Sequence, residues 1–145
     1  MVRPLRASDR ARWLELWQGY NEFYNRPSLA PEVTDALWAR LFDPGEPMRA
    51  LVCELDGAVV GLTHYLFHRS TTSIAYVCYL QDLYTDASVR GRGVGRALIE
   101  GVYAAAREAH ASRVYWQTHE TNATAMQLYD KVAERSGFVV YRKLL

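Results

Sequence analysis

The stretch Val89-Arg90-Gly91-Arg92-Gly93-Val94-Gly95-Arg96-Ala97 lies between a β-rich run, about Ala75 to Thr85, and a helical stripe of Val94, Leu98, Val102, Ala105 and Ala109. A strand, a glycine loop and a helix in this order gather backbone N–H groups where the helix begins. Such a terminus suits phosphate. Free amides and the positive dipole end point at the anion, and glycine lets the backbone approach without a Cβ in the way. Arg90, Arg92 and Arg96 add positive charge. For an isolated pair of glycines, a turn that needs positive φ is the structural alternative. Two familiar phosphate loops fail on the letters. G-x-G-x-x-G meets Arg96 when counted from Gly91 and Leu98 when counted from Gly93, and G-x-x-x-x-G-K-[ST] has no match.

Upstream of the loop, the runs Ala50 to Leu55 and Ala58 to about Phe67 flank Asp56-Gly57, the dipeptide that best signals an antiparallel hairpin. A short strand around Val2 to Leu5 comes first. Ser8 is a candidate N-cap for a helix that turns Leu14, Leu16 and Trp17 toward the core, and Pro31 opens a second helix that stops before Asp43-Pro44-Gly45. Downstream, the pattern predicts a strand from Arg113 to Thr118, a helix from about Thr121 to Glu134, and a last strand from Phe138 to Lys143. Hairpin strands followed by a β-α-β crossover make an α+β domain with a mixed sheet.

Composition narrows the class. The 145 residues, half of them apolar, match one domain over 1–145 with a continuous core. Lys plus Arg number 17 and Asp plus Glu 16, so the net charge gives no reason to expect nucleic acid or an anionic membrane as partner. Cys53 and Cys78 lack C-x-x-C spacing and a His cluster, which disfavours a metal or redox site and suits two buried structural thiols. Met1 leads into Arg3, Pro4, Arg6 and Asp9 with no apolar leader or span, which predicts a soluble cytoplasmic protein.

What does match at the loop is R-x-x-G-x-G, formed by Arg90, Gly93 and Gly95. It resembles the pyrophosphate-binding signature of the GNAT superfamily of acyl-CoA-dependent N-acetyltransferases. Tyr79-Leu80-Gln81-Asp82-Leu83-Tyr84 is similar to that family's fourth strand, and Asn122, Ala125 and Leu128-Tyr129, followed by Gly137-Phe138, to its C-terminal motif. The resemblance spans nearly the whole chain in element order, and its wording is closest to the polyamine and histone acetyltransferase branch. It implies an α+β fold whose mixed central sheet has about six or seven strands flanked by about four helices. One spacing departs from the family. Asp130 to Ser136 separate Tyr129 from Gly137-Phe138, four residues more than in many members, close to one helical turn. An extra turn of the last helix is therefore expected.

The resemblance also implies a chemistry: an acetyl group moves from acetyl-CoA to a primary amine by direct attack, without a metal. Leu83, Tyr84 and Thr85 would offer main-chain contacts to the pantetheine arm between splayed strands, and a backbone N–H near Leu83 would polarise the thioester carbonyl. Gly91, Val94 and Ala97 complete the pyrophosphate loop with the glycines and arginines named above. Tyr129 matches the family's general acid toward the departing thiolate, against a role in core packing. Asn122 would bond the CoA arm or simply cap the last helix.

The base is open. Spermidine/spermine acetyltransferases carry Glu-Asp where this chain has Gln81-Asp82, and an amide is no proton acceptor of that kind. Asp82, His119 and Glu120 are the alternatives, beside a water chain or selection of a neutral amine. Tyr20, Glu22 and Tyr24 are candidates for the acceptor site, because aromatic faces attract ammonium, but they also suit core packing or a dimer interface. The acceptor is a small amine, an amino acid, a polyamine or a lysine side chain, and the absence of an acidic run disfavours a long polyamine. A homodimer is common in such families. The competing reading from another class is a non-catalytic acyl-CoA-binding sensor.

Overall fold

Asp56 and Gly57 take φ values of 51° and 79°. Both are left-handed, the combination whose twist matches that of paired strands, and Asp-Gly adopts it at low cost. The turn joins β2 (Met48–Leu55) to β3 (Ala58–His68). The computed structural model describes residues 1–26 and 29–145. Around the hairpin it places β1 (Val2–Pro4), α1 (Arg10–Phe23), α2 (Pro31–Phe42), β4 (Val77–Thr85), α3 (Val94–Glu108), β5 (Val114–Tyr115) and α4 (Ala123–Val132). The sheet order is β1-β2-β3-β4-β5, antiparallel through β4, with β5 parallel to β4. This is the α+β GNAT architecture, with five strands among the described residues where six or seven were expected.

Both faces of the sheet are covered, as strand alternation dictates. Leu51, Cys53, Val60, Cys78 and Leu80 pack against Val94, Leu98, Ile99 and Val102 of α3. On the other face, Ala50, Val52, Val59 and Leu62 meet Trp13, Leu16, Trp17 and Tyr20 of α1 and Leu41 of α2. Burial of each large side chain contributes about 1.5–3 kcal/mol. Gly61 sets the closeness of α3: a Cβ there would stand 2.7 Å from Val94 Cγ1 and 3.1 Å from Tyr84 O. The start of α3 is thereby held against the ends of β3 and β4. No helix among the described residues is long and apolar enough to cross a membrane.

Several local expectations are corrected. Ser8 lies inside a 3-10 turn, Ala7–Asp9, and Asp9 takes the N-cap position of α1. The Asp9 carboxylate accepts instead from the Arg6 N–H at 2.8 Å and from the Arg3 guanidinium at 2.8 and 3.0 Å. Ala109 is exposed at the C-cap of α3, because a stripe ends where the helix does. The strand expected over Arg113–Thr118 shrinks to Val114–Tyr115. The extra turn of the last helix does not form: α4 stops at Val132, and Ala133 is extended (φ −151°, ψ −173°). The strand expected over Phe138–Lys143 has no pairing partner among the described residues, and Phe138 and Tyr141 are 92% and 93% exposed. Strand propensity alone cannot form a strand without a neighbour to bond.

Candidate active site

β4 and β5 pair only at Cys78–Val114 and Tyr79–Tyr115. From Leu80 to Thr85, β4 keeps β3 on one side and has no strand on the other among the described residues. The main chain of Leu83, Tyr84 and Thr85 therefore borders a gap, and an open edge of this kind can bond an extended ligand as another strand would. The glycine loop stands at the end of that gap. Gly91 and Gly93 have φ of 79° and 80°, and nothing lies within 4 Å of where their Cβ atoms would be. Gly93 is the N-cap of α3, so the free N–H groups of its first turn, at Val94, Gly95 and Arg96, open onto the same space. Val94 is buried and anchors the loop from below.

The loop's cations are not equivalent. Arg90 donates from Nε to Thr85 O at 3.4 Å and lies over the rings of Phe23 and Tyr84. Arg96 pairs with Glu100 at 3.0 Å, and Arg92 is exposed. Just before the loop, Asp86 accepts from the Ser88 N–H at 2.9 Å and from Arg12, which also bonds Val59 O. Those donors, the Ser88 amide foremost, hold the Asp86 carboxyl down to about 2. α1 is thus tied to the entrance of the loop.

Deeper in, the β3–β4 ladder slips. His64 faces Asp82 and Tyr65 faces Leu80, which leaves Gln81 as the extra residue of a bulge. Gln81 is exposed, whereas Asp82 is only 8% exposed. His64, 3% exposed, has Nδ1 2.9 Å from Asp82 Oδ2 and Nε2 3.0 Å from Trp13 Nε1. The assignment of protons follows from chemistry. An indole N–H can only donate, so Nε2 accepts, the ring proton sits on Nδ1, and Nδ1 donates to the carboxylate. Thr63 Oγ1 donates to Asp82 O at 2.8 Å and fixes the backbone as well.

Tyr20 of α1 is buried beside Asp82. Burial first, and then the charge and hydrogen bond of that carboxylate, push its phenol above the usual range. Tyr24 packs against Tyr20 at a tilt of 55°, with ring centroids 5.0 Å apart, and its phenol is raised mainly by burial. The Arg26 guanidinium lies over both rings, at 5.5 and 5.1 Å, and makes no ion pair among the described residues. Across the gap, Tyr129 of α4 packs edge-on against Trp116 at 5.4 Å. Burial, with a smaller contribution from neighbouring Tyr24, pushes its phenol up to about 12. No hydrogen bond engages the Tyr129 hydroxyl among the described residues.

Tyr20, Tyr24, Asp82 and Tyr129 are thus brought together from four positions in the sequence. Glu22, His119 and Glu120 are exposed, and His119 bonds Thr121 Oγ1 at 2.7 Å instead. Asn122 holds the N-cap position of α4 without capping it, and its Nδ2 donates to Thr118 Oγ1 at 3.2 Å. Sequence reasoning missed Trp13, His64 and Arg26. A histidine inside an apolar strand is the only signal His64 gives, and only the register of β3 against β4 shows what it faces.

Residues 12–133 match the family model described as Acetyltransferase (GNAT) family. D-amino-acid N-acetyltransferase HPA3 of Saccharomyces cerevisiae is 36% identical over 145 aligned positions, covering 99% of this chain and 89% of that protein. An uncharacterized N-acetyltransferase of Bacillus subtilis, YhfO, is 29% identical over 97% of this chain and 94% of its own length. Among solved structures, a ribosomal-protein-alanine N-acetyltransferase from Brucella melitensis biovar Abortus 2308 superposes with a TM-score of 0.81 at 19% identity, covering 100% of this chain and 99% of that one. Family model, relatives and fold agree with the glycine loop and the parted strands: the chain belongs to the GNAT family and is an N-acetyltransferase.

Proposed function

We propose that the protein transfers the acetyl group of acetyl-CoA to the amino group of a free amino acid, with Arg26 receiving the acceptor's carboxylate. The observation that carries this reading is the nearness of one buried carboxylate, Asp82, and one cation, Arg26, that makes no ion pair among the described residues and donates only to Asn21 Oδ1 there, around Tyr20 and Tyr24. An amino acid presents the complementary charges, while a polyamine would bring a second ammonium toward Arg26. The similarity to a yeast enzyme named for D-amino acids supports the same class.

The residues around the gap fit the donor. The N–H groups at Gly93, Val94 and Gly95 would hold the pyrophosphate, helped by Arg92, and the β4 edge at Leu83 to Thr85 would bond the pantetheine arm. Bound there, acetyl-CoA supplies an activated thioester carbonyl. The Leu83 N–H serves as the preorganised dipole for the charge that develops on its oxygen. The acceptor reacts as a neutral amine, since an ammonium of pKa near ~10 has no lone pair to offer. Its nitrogen becomes acidic as the N–C bond forms, and Asp82, oriented by His64, takes the released proton. Tyr129 donates a hydrogen bond to the departing sulfur. Gln81, exposed at the bulge, has no part in proton transfer.

The test is a panel of D- and L-amino acids, their decarboxylated amines, spermidine and a lysine peptide, with release of free CoA thiol as readout. Amino acids should dominate, and Arg26→Met should lower their kcat/KM by about tenfold, as expected for loss of a hydrogen bond to a charged group. Equal turnover of the decarboxylated amines, untouched by Arg26→Met, would refute the assignment.

A further inference from the structure

Asn21 stands in the last turn of α1 with only 4% of its surface exposed. Asparagine is a costly choice there, because it is a weak helix former and a buried amide is unfavourable unless both its groups are bonded. Both are. Nδ2 donates to Trp17 O at 2.8 Å, and Oδ1 accepts from Arg26 Nε at 3.3 Å. A leucine would fill similar space with better helix propensity, so packing alone does not call for the amide.

The backbone beyond it serves the same end. α1 ends at Phe23, and Asn25 takes φ of 57°. The Arg26 N–H then donates to Asn21 O at 2.6 Å and the Asn25 N–H to Glu22 O at 3.0 Å. This pair of bonds around one left-handed residue closes a helix and turns the chain back over its last turn. Arg26 is therefore bonded to Asn21 twice, once through the backbone and once through the side chain. Its guanidinium is laid over Tyr20 and Tyr24, at 5.5 and 5.1 Å. The bond to Asn21 uses Nε–H and leaves the N–H groups of both Nη atoms for an incoming carboxylate, which can meet them end-on. The Tyr20 phenol responds to both charges of the site: burial and Asp82 raise it, while Arg26, the smallest influence, lowers it.

We infer that Asn21 is a positioning residue for acceptor selection: with Asn25 held left-handed, its buried amide fixes the Arg26 guanidinium over Tyr20 and Tyr24 and so sets the preference for amines that carry a neighbouring carboxylate. The inference rests on the proposed role of Arg26 as receiver of that carboxylate. A freely rotating arginine loses much rotamer freedom when it meets an anion. One already held by Asn21 loses less, so the gain comes from preorganisation. Asn21 itself touches neither acceptor nor donor and acts only through Arg26.

The experiment measures kcat and KM for one amino acid and for its decarboxylated amine, in the parent, Asn21→Leu, Arg26→Met and the double variant. The readout is the ratio of the two kcat/KM values, amino acid over amine. In Asn21→Leu this ratio should fall by about fivefold, the effect of one ordinary hydrogen bond, with the loss appearing in the amino acid's KM rather than its kcat. In the Arg26→Met background the same change should lower the ratio no further, since the two residues act as one unit. A second route leaves the core untouched. Asn25→Val forces a β-branched side chain into positive φ and should lower the ratio likewise, whereas Asn25→Gly takes that angle freely and should keep it. A parental ratio in Asn21→Leu, with the ratio lowered in Arg26→Met, overturns the inference and leaves the role of Arg26 standing. A parental ratio in Arg26→Met overturns both. Equal losses for amino acid and amine in Asn21→Leu, additive with those of Arg26→Met, would make Asn21 merely structural and overturn the inference too. Should Asn21→Leu fail to fold, a parental ratio in Asn25→Val overturns it.

Discussion

Tyr129→Phe isolates one hydroxyl. The phenylalanine ring keeps the edge-on contact with Trp116 at 5.4 Å and the packing beside Leu128, and no hydrogen bond within the protein is lost, so the melting temperature should not move. The magnitude follows from the phenol's raised pKa of about 12. A thiol of the CoA kind titrates near ~8.5, so complete transfer of the Tyr129 proton to a free thiolate would run uphill by about 5 kcal/mol at 1.36 kcal/mol per unit. In the proposed mechanism the hydroxyl therefore acts as a hydrogen-bond donor while the C–S bond lengthens. A hydrogen bond to a charged acceptor contributes about 1.5–3 kcal/mol, so kcat should fall by about 10- to 150-fold. Acetyl-CoA affinity should be nearly unchanged.

The assay is single-turnover release of thiol, which separates chemistry from product departure, followed by the same comparison with an acetyl thioester of a more acidic thiol. That leaving group needs less help, so the loss should shrink. The protonated phenol is the active form. It is present below its pKa and lost only as pH rises through about 12, so Tyr129 should produce no basic limb in the working range. A single-turnover rate in Tyr129→Phe within a factor of about two of the parent would refute the role, since even the weakest such bond predicts about tenfold.

At the loop, Gly93→Ala must hold a side chain at φ of 80°, which costs about 1–2 kcal/mol and should lower the melting temperature as well as acetyl-CoA affinity. Gly95→Ala meets Leu128 Cδ2 at 3.5 Å and Thr85 Oγ1 at 4.0 Å, both ordinary contacts, so it should weaken acetyl-CoA binding at unchanged stability; parental affinity in both variants would remove the loop from the site. For the buried triad, ¹⁵N shifts of the His64 ring should report a proton on Nδ1, and an Nε2-protonated ring would contradict the hydrogen-bond assignment. His64→Leu should reduce kcat more than acetyl-CoA affinity, because it deprives Asp82 of its donor. Asp86, held down to about 2 in the folded state against ~3.9 unfolded, contributes stability that is complete above pH ~4 and lost as pH falls toward ~2. Asp86→Asn should flatten the fall in melting temperature across that window, and an unchanged slope would mean that the Ser88 and Arg12 contacts do not survive in solution.

The loop, the hairpin and the order of elements were legible in the sequence because they depend on neighbours. Asp56-Gly57 specifies its turn through two adjacent φ angles, Arg90, Gly93 and Gly95 specify a glycine-rich helix start within six residues, and the stripe from Val94 to Val102 specifies which face of α3 is buried. Pairings across the sheet were not legible, because register is a property of two distant segments. A bulge at Gln81 exposes that residue and turns Asp82 inward, where His64, 18 positions away, and Trp13, 51 positions from His64, close a chain of hydrogen bonds. Arg26 became a candidate only when the chain leaving α1 laid it over Tyr20 and Tyr24. The tail shows the converse: the letters from Phe138 onward encode a strand, but a strand exists only where another backbone bonds it, and none of the described residues pairs with this segment.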